Sequence, residues 1–234
     1  MINKKKYGLY LFVFALIVLL IAFFAESREY LVQKTRLETE MECLLKQAEK
    51  ENEILREQKQ QLIEEKQKLK EELEGYRNLS KYVKDSFLSM NPDMTEKKAN
   101  KLVSLFWEQV KLYNFKPEQV IAWIEQESEF YALAVSRKGA IGLTQIMPET
   151  GKDIARRLGV EWKGPQMLFG PEINLIFGFN HLAWSRDNSI NEHQAFSMYF
   201  WGYGNVKKKG LVETAYSQDI FERSEMLVAE MRSV

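Results

Sequence analysis

No proline interrupts the first 91 residues, and only two glycines, Gly8 and Gly75, lie among them. All five prolines follow Asn91, and ten of the twelve glycines follow Lys138. Proline and glycine are the strongest helix breakers. The chain therefore divides into an uninterrupted helical first part and a second part of shorter elements joined by turns, with the change near residues 80–92.

The first part contains two dissimilar stretches. Gly8 to Ala25 is a run of 18 residues without a charge, preceded by Lys4, Lys5 and Lys6. At about 1.5 Å per residue it spans roughly 27 Å, close to the roughly 30 Å hydrocarbon core of a bilayer. A cleaved signal peptide wants small residues at −3 and −1; with Ala25 at −1, position −3 is the bulky Phe23. The run predicts an uncleaved single-pass anchor over 8–25. Its basic tail, residues 1–7, stays in the cytoplasm by the positive-inside rule. Everything after Glu26 then lies outside the inner membrane.

Glu26 to Tyr76 carries 10 Lys/Arg and 14 Glu with no proline. Such a stretch has no core of its own and reads as a long solvated helix, a stalk over 26–80. Met41, Ala48, Leu55, Leu62, Leu69 and Tyr76 recur every seventh residue, as in a coiled-coil seam. The second seam position turns polar after Leu37 and Leu44, with Glu51, Gln58, Glu65 and Glu72. A weak dimerising coiled coil and a single helical spacer of roughly 75 Å are both consistent with this pattern.

The remainder, 86–234, reads as an all-α domain. Thr95 is placed to cap a helix carrying Leu102, Leu105, Phe106 and Val110. Pro117 suits the first turn of the next helix, with Val120, Ile121 and Ile124. Further helices are expected over about 150–158, 172–186, 190–200 and 212–232, and no run of alternating strands is visible. Lys+Arg and Asp+Glu both total 33, so no global field favours nucleic acid. Cys43 stands alone, which rules out an intrachain disulfide. His181 and His193 lack partners at metal-ligand spacing, so no metal is expected.

Three glutamates, Glu125, Glu127 and Glu129, crowd one helix end. Helical periodicity separates them. Val120, Trp123, Ile124 and Glu127 share one face at i, i+3, i+4 and i+7, whereas Glu125 and Glu129 point elsewhere, toward solvent. A carboxyl that extends an apolar stripe is desolvated, which raises its pKa and keeps it protonated near neutral pH. A glycosidic leaving oxygen needs such an acid. Periodicity alone leaves open the blander reading, a glutamate facing water at a helix end. A loop rich in glycine follows, Gly139-Ala140-Ile141-Gly142-Leu143-Thr144-Gln145-Ile146-Met147-Pro148. Its glycines let backbone approach a ligand, and Gln145 offers a donor and an acceptor.

Together these pieces resemble the soluble lytic transglycosylase (SLT) domain family of the lysozyme-like superfamily, over roughly residues 95–210. The family's Glu-Ser, Ser before Gly-Ala, Gly-Leu-Met-Gln and Met-Pro fall on Glu127-Ser128, Ser136, Gly139-Ala140, Gly142-Leu143-Thr144-Gln145 and Met147-Pro148. Leu168, Pro171, Asn174 and Gly178 match a later element, and Ala195 to Gly202 a third, with Tyr199 on the family tyrosine. Thr144 departs from the family methionine, Gly170 from its aspartate, and Phe200-Trp201 from Asn-Ala.

The resemblance implies a lysozyme-like helical fold that cleaves the β-1,4 bond between N-acetylmuramic acid and N-acetylglucosamine in peptidoglycan. Glu127 would act first as acid and then as base, Tyr199 would orient it, and Ser136, Gln145, Gly142 and Met147 would bind substrate. Trp201 would offer a stacking platform in place of the missing asparagine. No water is consumed, the product ends in a 1,6-anhydro ring, and no cofactor is required. Two alternatives remain open: a hydrolytic muramidase of the same fold, and a non-catalytic glycan-binding scaffold of an envelope machine.

Overall fold

A computed structural model describes residues 4–232. Among them there is no strand. The secondary structure is helical apart from two isolated bridges, Val135 with Ile141 and Ile141 with Ile146, so the all-α class holds. The chain forms two compact units, one through Leu69 and one from Lys70 on. Helix α1, Lys4–Met90, runs through the first unit and into the second. In the first unit its described side chains are nearly all exposed, including Leu11 to Leu20 and the seam residues Met41, Leu55 and Leu62. Among the described residues this helix alone is long and apolar enough to cross a membrane.

The second unit starts earlier than composition suggests. Leu79, Val83 and Phe87 lie on one face of α1 and are buried in the main core. Their i, i+4, i+8 spacing resembles a continuation of the seam, so composition alone does not set them apart from the stalk. Polar contacts join the same stretch to the rest of the unit. Trp107 donates its indole N–H to the Ser80 hydroxyl at 2.8 Å, and Asn78 donates to the Met231 carbonyl at 3.3 Å.

The following helices are α2 (Glu96–Tyr113), α3 (Pro117–Ser128), α4 (Pro148–Leu158), α5 (Pro171–Asp187), α6 (Glu192–Trp201), α7 (Tyr203–Lys209) and α8 (Ala215–Arg232), with a 3₁₀ turn over Pro165–Phe169. Thr95 caps α2 through the Lys98 N–H, and Pro117 occupies the first turn of α3, both as expected. The short α7 is additional to the helices expected from sequence. The centre of the core is Trp123, fully buried, with its ring edge-on to Phe179 at 5.7 Å and to Tyr199 at 5.0 Å. Truncating such a side chain typically costs about 3–5 kcal/mol. Helix α3 is thus held from behind by the core, packs against α8, and presents its last turn to the loop that follows.

Candidate active site

Glu127 is the penultimate residue of α3. The helix stops there because Glu129 and Phe130 both adopt left-handed backbone, with φ of 51° and 62°. The chain then folds back as the glycine loop over the helix end. Ser128 ties the two together, its hydroxyl donating to the Leu143 carbonyl at 2.7 Å. Gly142 has φ of 81°, and a Cβ there would collide with the Asn174 side chain and the Leu168 carbonyl. Asn174 is the buried bracket of this loop. It donates to the carbonyls of Ile141 and Leu168 at 2.8 Å each, and it accepts from the Thr144 N–H at 2.8 Å. The Thr144 hydroxyl also bonds Asn174, at 2.7 Å, and packs where Gly178 leaves room. The residue in place of the family methionine is therefore a polar brace, fully buried.

The Glu127 carboxyl sits in this frame with its pKa pushed up to about 7 by burial. A hydrogen bond from the Tyr216 hydroxyl holds it and works in the opposite direction, favouring the carboxylate. No other carboxylate helps to raise it. Tyr216, from α8, is buried, and its own pKa is raised well above the usual value, first by burial and then by the charge of Glu127. It stays a neutral donor. The Trp123 indole N–H is close enough to favour the ionised form of Tyr216, without meeting the geometry of a hydrogen bond.

Tyr199 takes a different position from the one expected. Its hydroxyl donates to the Thr144 carbonyl at 2.6 Å, not to Glu127. Burial and then the Glu127 charge raise its pKa, so it borders the acid while fastening the loop. Ser136 and Gln145 likewise spend polar atoms on the loop. The Ser136 hydroxyl accepts from the Ala140 N–H at 3.0 Å, and the Gln145 amide donates to the Gly142 carbonyl at 2.9 Å and the Ala134 carbonyl at 3.3 Å. The Gln145 side-chain oxygen takes part in no hydrogen bond among the described residues. Met147 and Trp201 are exposed. Phe200 stacks on the Tyr216 ring, centroids 4.4 Å apart and planes 20° apart, and so covers the partner of the acid.

Glu129 is exposed, as periodicity indicates, but Glu125 is not a solvated glutamate. It pairs with Arg223 of α8 at 2.9 Å and accepts from the Tyr82 hydroxyl of α1; Arg223 also donates to Tyr82 at 3.0 Å and to Glu230 at 2.9 Å. Periodicity correctly removes Glu125 from the Glu127 face but gives no view of what faces it. A cavity of about 460 Å³ lies on this side of α3, away from Glu127. Among the described residues no group of three His, Cys, Asp or Glu is placed to hold a metal ion.

The family model of the transglycosylase SLT domain matches residues 104–221, half of the chain. The chain belongs to the SLT domain family. Its SLT domain is 30% identical over 117 residues to membrane-bound lytic murein transglycosylase C of Shigella sonnei (strain Ss046), covering 49% of this chain and 33% of that protein. The match thus spans a third of the relative's length. Among solved structures, lytic transglycosylase Slt of Pseudomonas aeruginosa is similar with TM-score 0.48 and 23% identity, over 56% of this chain and 24% of that one. The 70 kDa soluble lytic transglycosylase of Escherichia coli gives TM-score 0.45 and 22% identity, over 65% and 28%. Tyr216, inside the matched span, escapes the sequence reading although a signal exists. Tyr216, Ile220 and Leu227 lie on the buried face of α8, and a tyrosine on an apolar face needs a partner for its hydroxyl.

Proposed function

We propose that this chain is a murein lytic transglycosylase in which Glu127 is the single acid/base. The observation that carries this reading is a lone desolvated carboxyl with a pKa of about 7, held by a neutral tyrosine at the end of a rigid helix. Near neutral pH such a group is populated in both protonation states, so it can give a proton and take one back.

Two-carboxylate glycosidases set a second acid about 5–9.5 Å across the bond. Here the adjacent glutamates are otherwise placed, Glu125 in its ion pair and Glu129 in solvent. The substrate then supplies what the second carboxylate would. Glu127 protonates the oxygen between N-acetylmuramic acid and N-acetylglucosamine, and that bond breaks. The acetamido carbonyl of the muramoyl residue stabilises the cation at its anomeric carbon. Glu127, now a carboxylate, removes the proton from the 6-hydroxyl of the same residue, whose oxygen closes the 1,6-anhydro ring. Proton and charge balance without water. Tyr216 orients the carboxyl through both steps, and Tyr199 holds the Thr144 carbonyl and with it the loop. The Gln145 oxygen is left to accept from a substrate N–H or hydroxyl, and Met147 and Trp201 border the strand.

We further propose that residues 8–25 anchor the chain in the inner membrane with residues 1–7 in the cytoplasm. The SLT domain then faces the wall, and the exposed seam of α1 pairs with a second copy. Sedimentation of the full chain in detergent tests the pairing, and a monomer would leave α1 as a spacer. The chemistry is tested by mass spectrometry of murein digested with the full-length protein. Anhydromuramoyl ends are expected, absent with Glu127→Gln. Reducing ends would show a hydrolase, and undigested murein a binding module.

A further inference from the structure

Beyond Tyr216 the site continues outward through two exposed aromatic rings, Phe200 and Trp201, and the next helix in the chain, α7, begins with a third, Tyr203, whose ring packs on Trp184 at 5.7 Å. Phe200 is 50% exposed, Trp201 40% and Tyr203 46%. Phe200 meets Tyr216 at 4.4 Å and Trp201 edge-on at 5.1 Å. Two of these rings carry cations. The Lys209 ammonium lies 5.6 Å from the Trp201 ring centre, and Lys207 lies 5.6 Å from that of Tyr203. Lys207, Lys208 and Lys209 are consecutive on α7, and no acidic side chain pairs with any of them among the described residues. Lys207 has one further contact, to the Asn188 carbonyl at 3.2 Å.

Three adjacent ammonium groups repel one another. The helix does not require them, because Gly210 already closes its end with a bond to the Val206 carbonyl, and a cation at an exposed helix C-terminus adds little. A neutral sugar chain gains from the rings but has nothing to offer the lysines. The arrangement therefore fits a glycan whose rings alternate with pendant negative charge.

We propose that Trp201, Tyr203 and Lys207–Lys209 form an outer subsite that takes the carboxylate-bearing peptide branches of murein while the rings hold its sugars. This rests on the murein reading above and adds a preference to it: strands with free branch carboxylates bind better than the same strands neutralised. Lysines on flexible stems suit such branches, since they are point charges that tolerate varied geometry. Trp201 then contributes to both substrates, and the lysines to one.

The test uses the full-length chain carrying Glu127→Gln in detergent, with soluble murein fragments either native or with their carboxylates converted to amides. Binding is measured by calorimetry at about 50 mM salt, where a charge preference is least screened. Exposed ion pairs are individually weak but three lysines act together, so the native fragments should bind about tenfold tighter. The triple variant Lys207→Gln, Lys208→Gln, Lys209→Gln should lose that preference and keep the affinity for amidated fragments, whereas Trp201→Ala should weaken both. Equal affinity of the parent protein for both fragments would overturn the subsite. So would a triple variant, shown to be folded by its thermal transition, that keeps the full preference or weakens both fragments alike. Digestion of native murein by wild type reports separately on the catalytic reading. A protein that digests murein yet binds both fragments equally loses only the subsite; one that binds neither loses both.

Discussion

Replacing Glu127 by Gln should make the SLT domain more stable at pH 8 while abolishing turnover. Burial raises the carboxyl from its ordinary 4.5 to about 7. The folded state therefore binds the proton more tightly than the unfolded chain. The stabilising contribution is complete below pH 4.5 and is lost as pH rises through 7. A tenfold difference in proton affinity corresponds to about 1.4 kcal/mol, so about 3 kcal/mol is lost across this window. The amide has no charge to bury and avoids that loss. Relative to wild type, Glu127→Gln should be near neutral at pH 4.5 and more stable by up to about 3 kcal/mol at pH 8. All five tryptophans, at 107, 123, 162, 184 and 201, lie in the second unit. Their fluorescence during urea unfolding of the full chain in mild detergent therefore reports this unit alone. A difference between the two proteins that does not grow from pH 4.5 to 8 would refute the buried-acid reading. So would a Gln variant that retains activity, since general acid/base catalysis contributes about 10²–10⁴-fold.

Tyr216→Phe removes the bond that favours the carboxylate, so the pH–rate profile should shift upward in its Glu127 limb, with activity down about tenfold or more. Tyr199→Phe should instead act through the loop and leave that limb in place, as kinetics between pH 5 and 9 will show. Glu125→Gln takes the anionic partner from Tyr82 and one of two carboxylate partners from Arg223, which keeps Glu230, and should cost about 1–3 kcal/mol in denaturant unfolding. Asn174→Ala takes the acceptor from the buried Thr144 N–H and the side-chain donor from the Leu168 carbonyl and should cost about 2–4 kcal/mol in the same assay.

The face that Glu127 occupies is legible in the sequence because a carboxylate at the i+7 position extends an apolar stripe, whereas its role as acid is implied by the motif resemblance and not by periodicity. The helices are legible because their breakers, Pro117, Pro148 and Pro171, begin them. Tertiary partners are not. Nothing local distinguishes Tyr199, which fastens a loop, from Tyr216, which fastens the acid; the choice depends on how α6 and α8 cross behind α3. Glu125 reads as solvated because its ion pair comes from residue 223 and its second partner from residue 82. Ser136 and Gln145 are recognisable as residues of the loop, but their polar atoms turn inward to it, a direction that composition does not encode.

The burial of Leu79, Val83 and Phe87 bears on how this domain could be shed from a membrane. A protease that cuts a tether normally releases a working enzyme. Here a cut between Phe87 and Met90 would remove Leu79, Val83 and Phe87 from the core together with the Tyr82 contact to Glu125, so the fragment set free would be less stable than the intact chain.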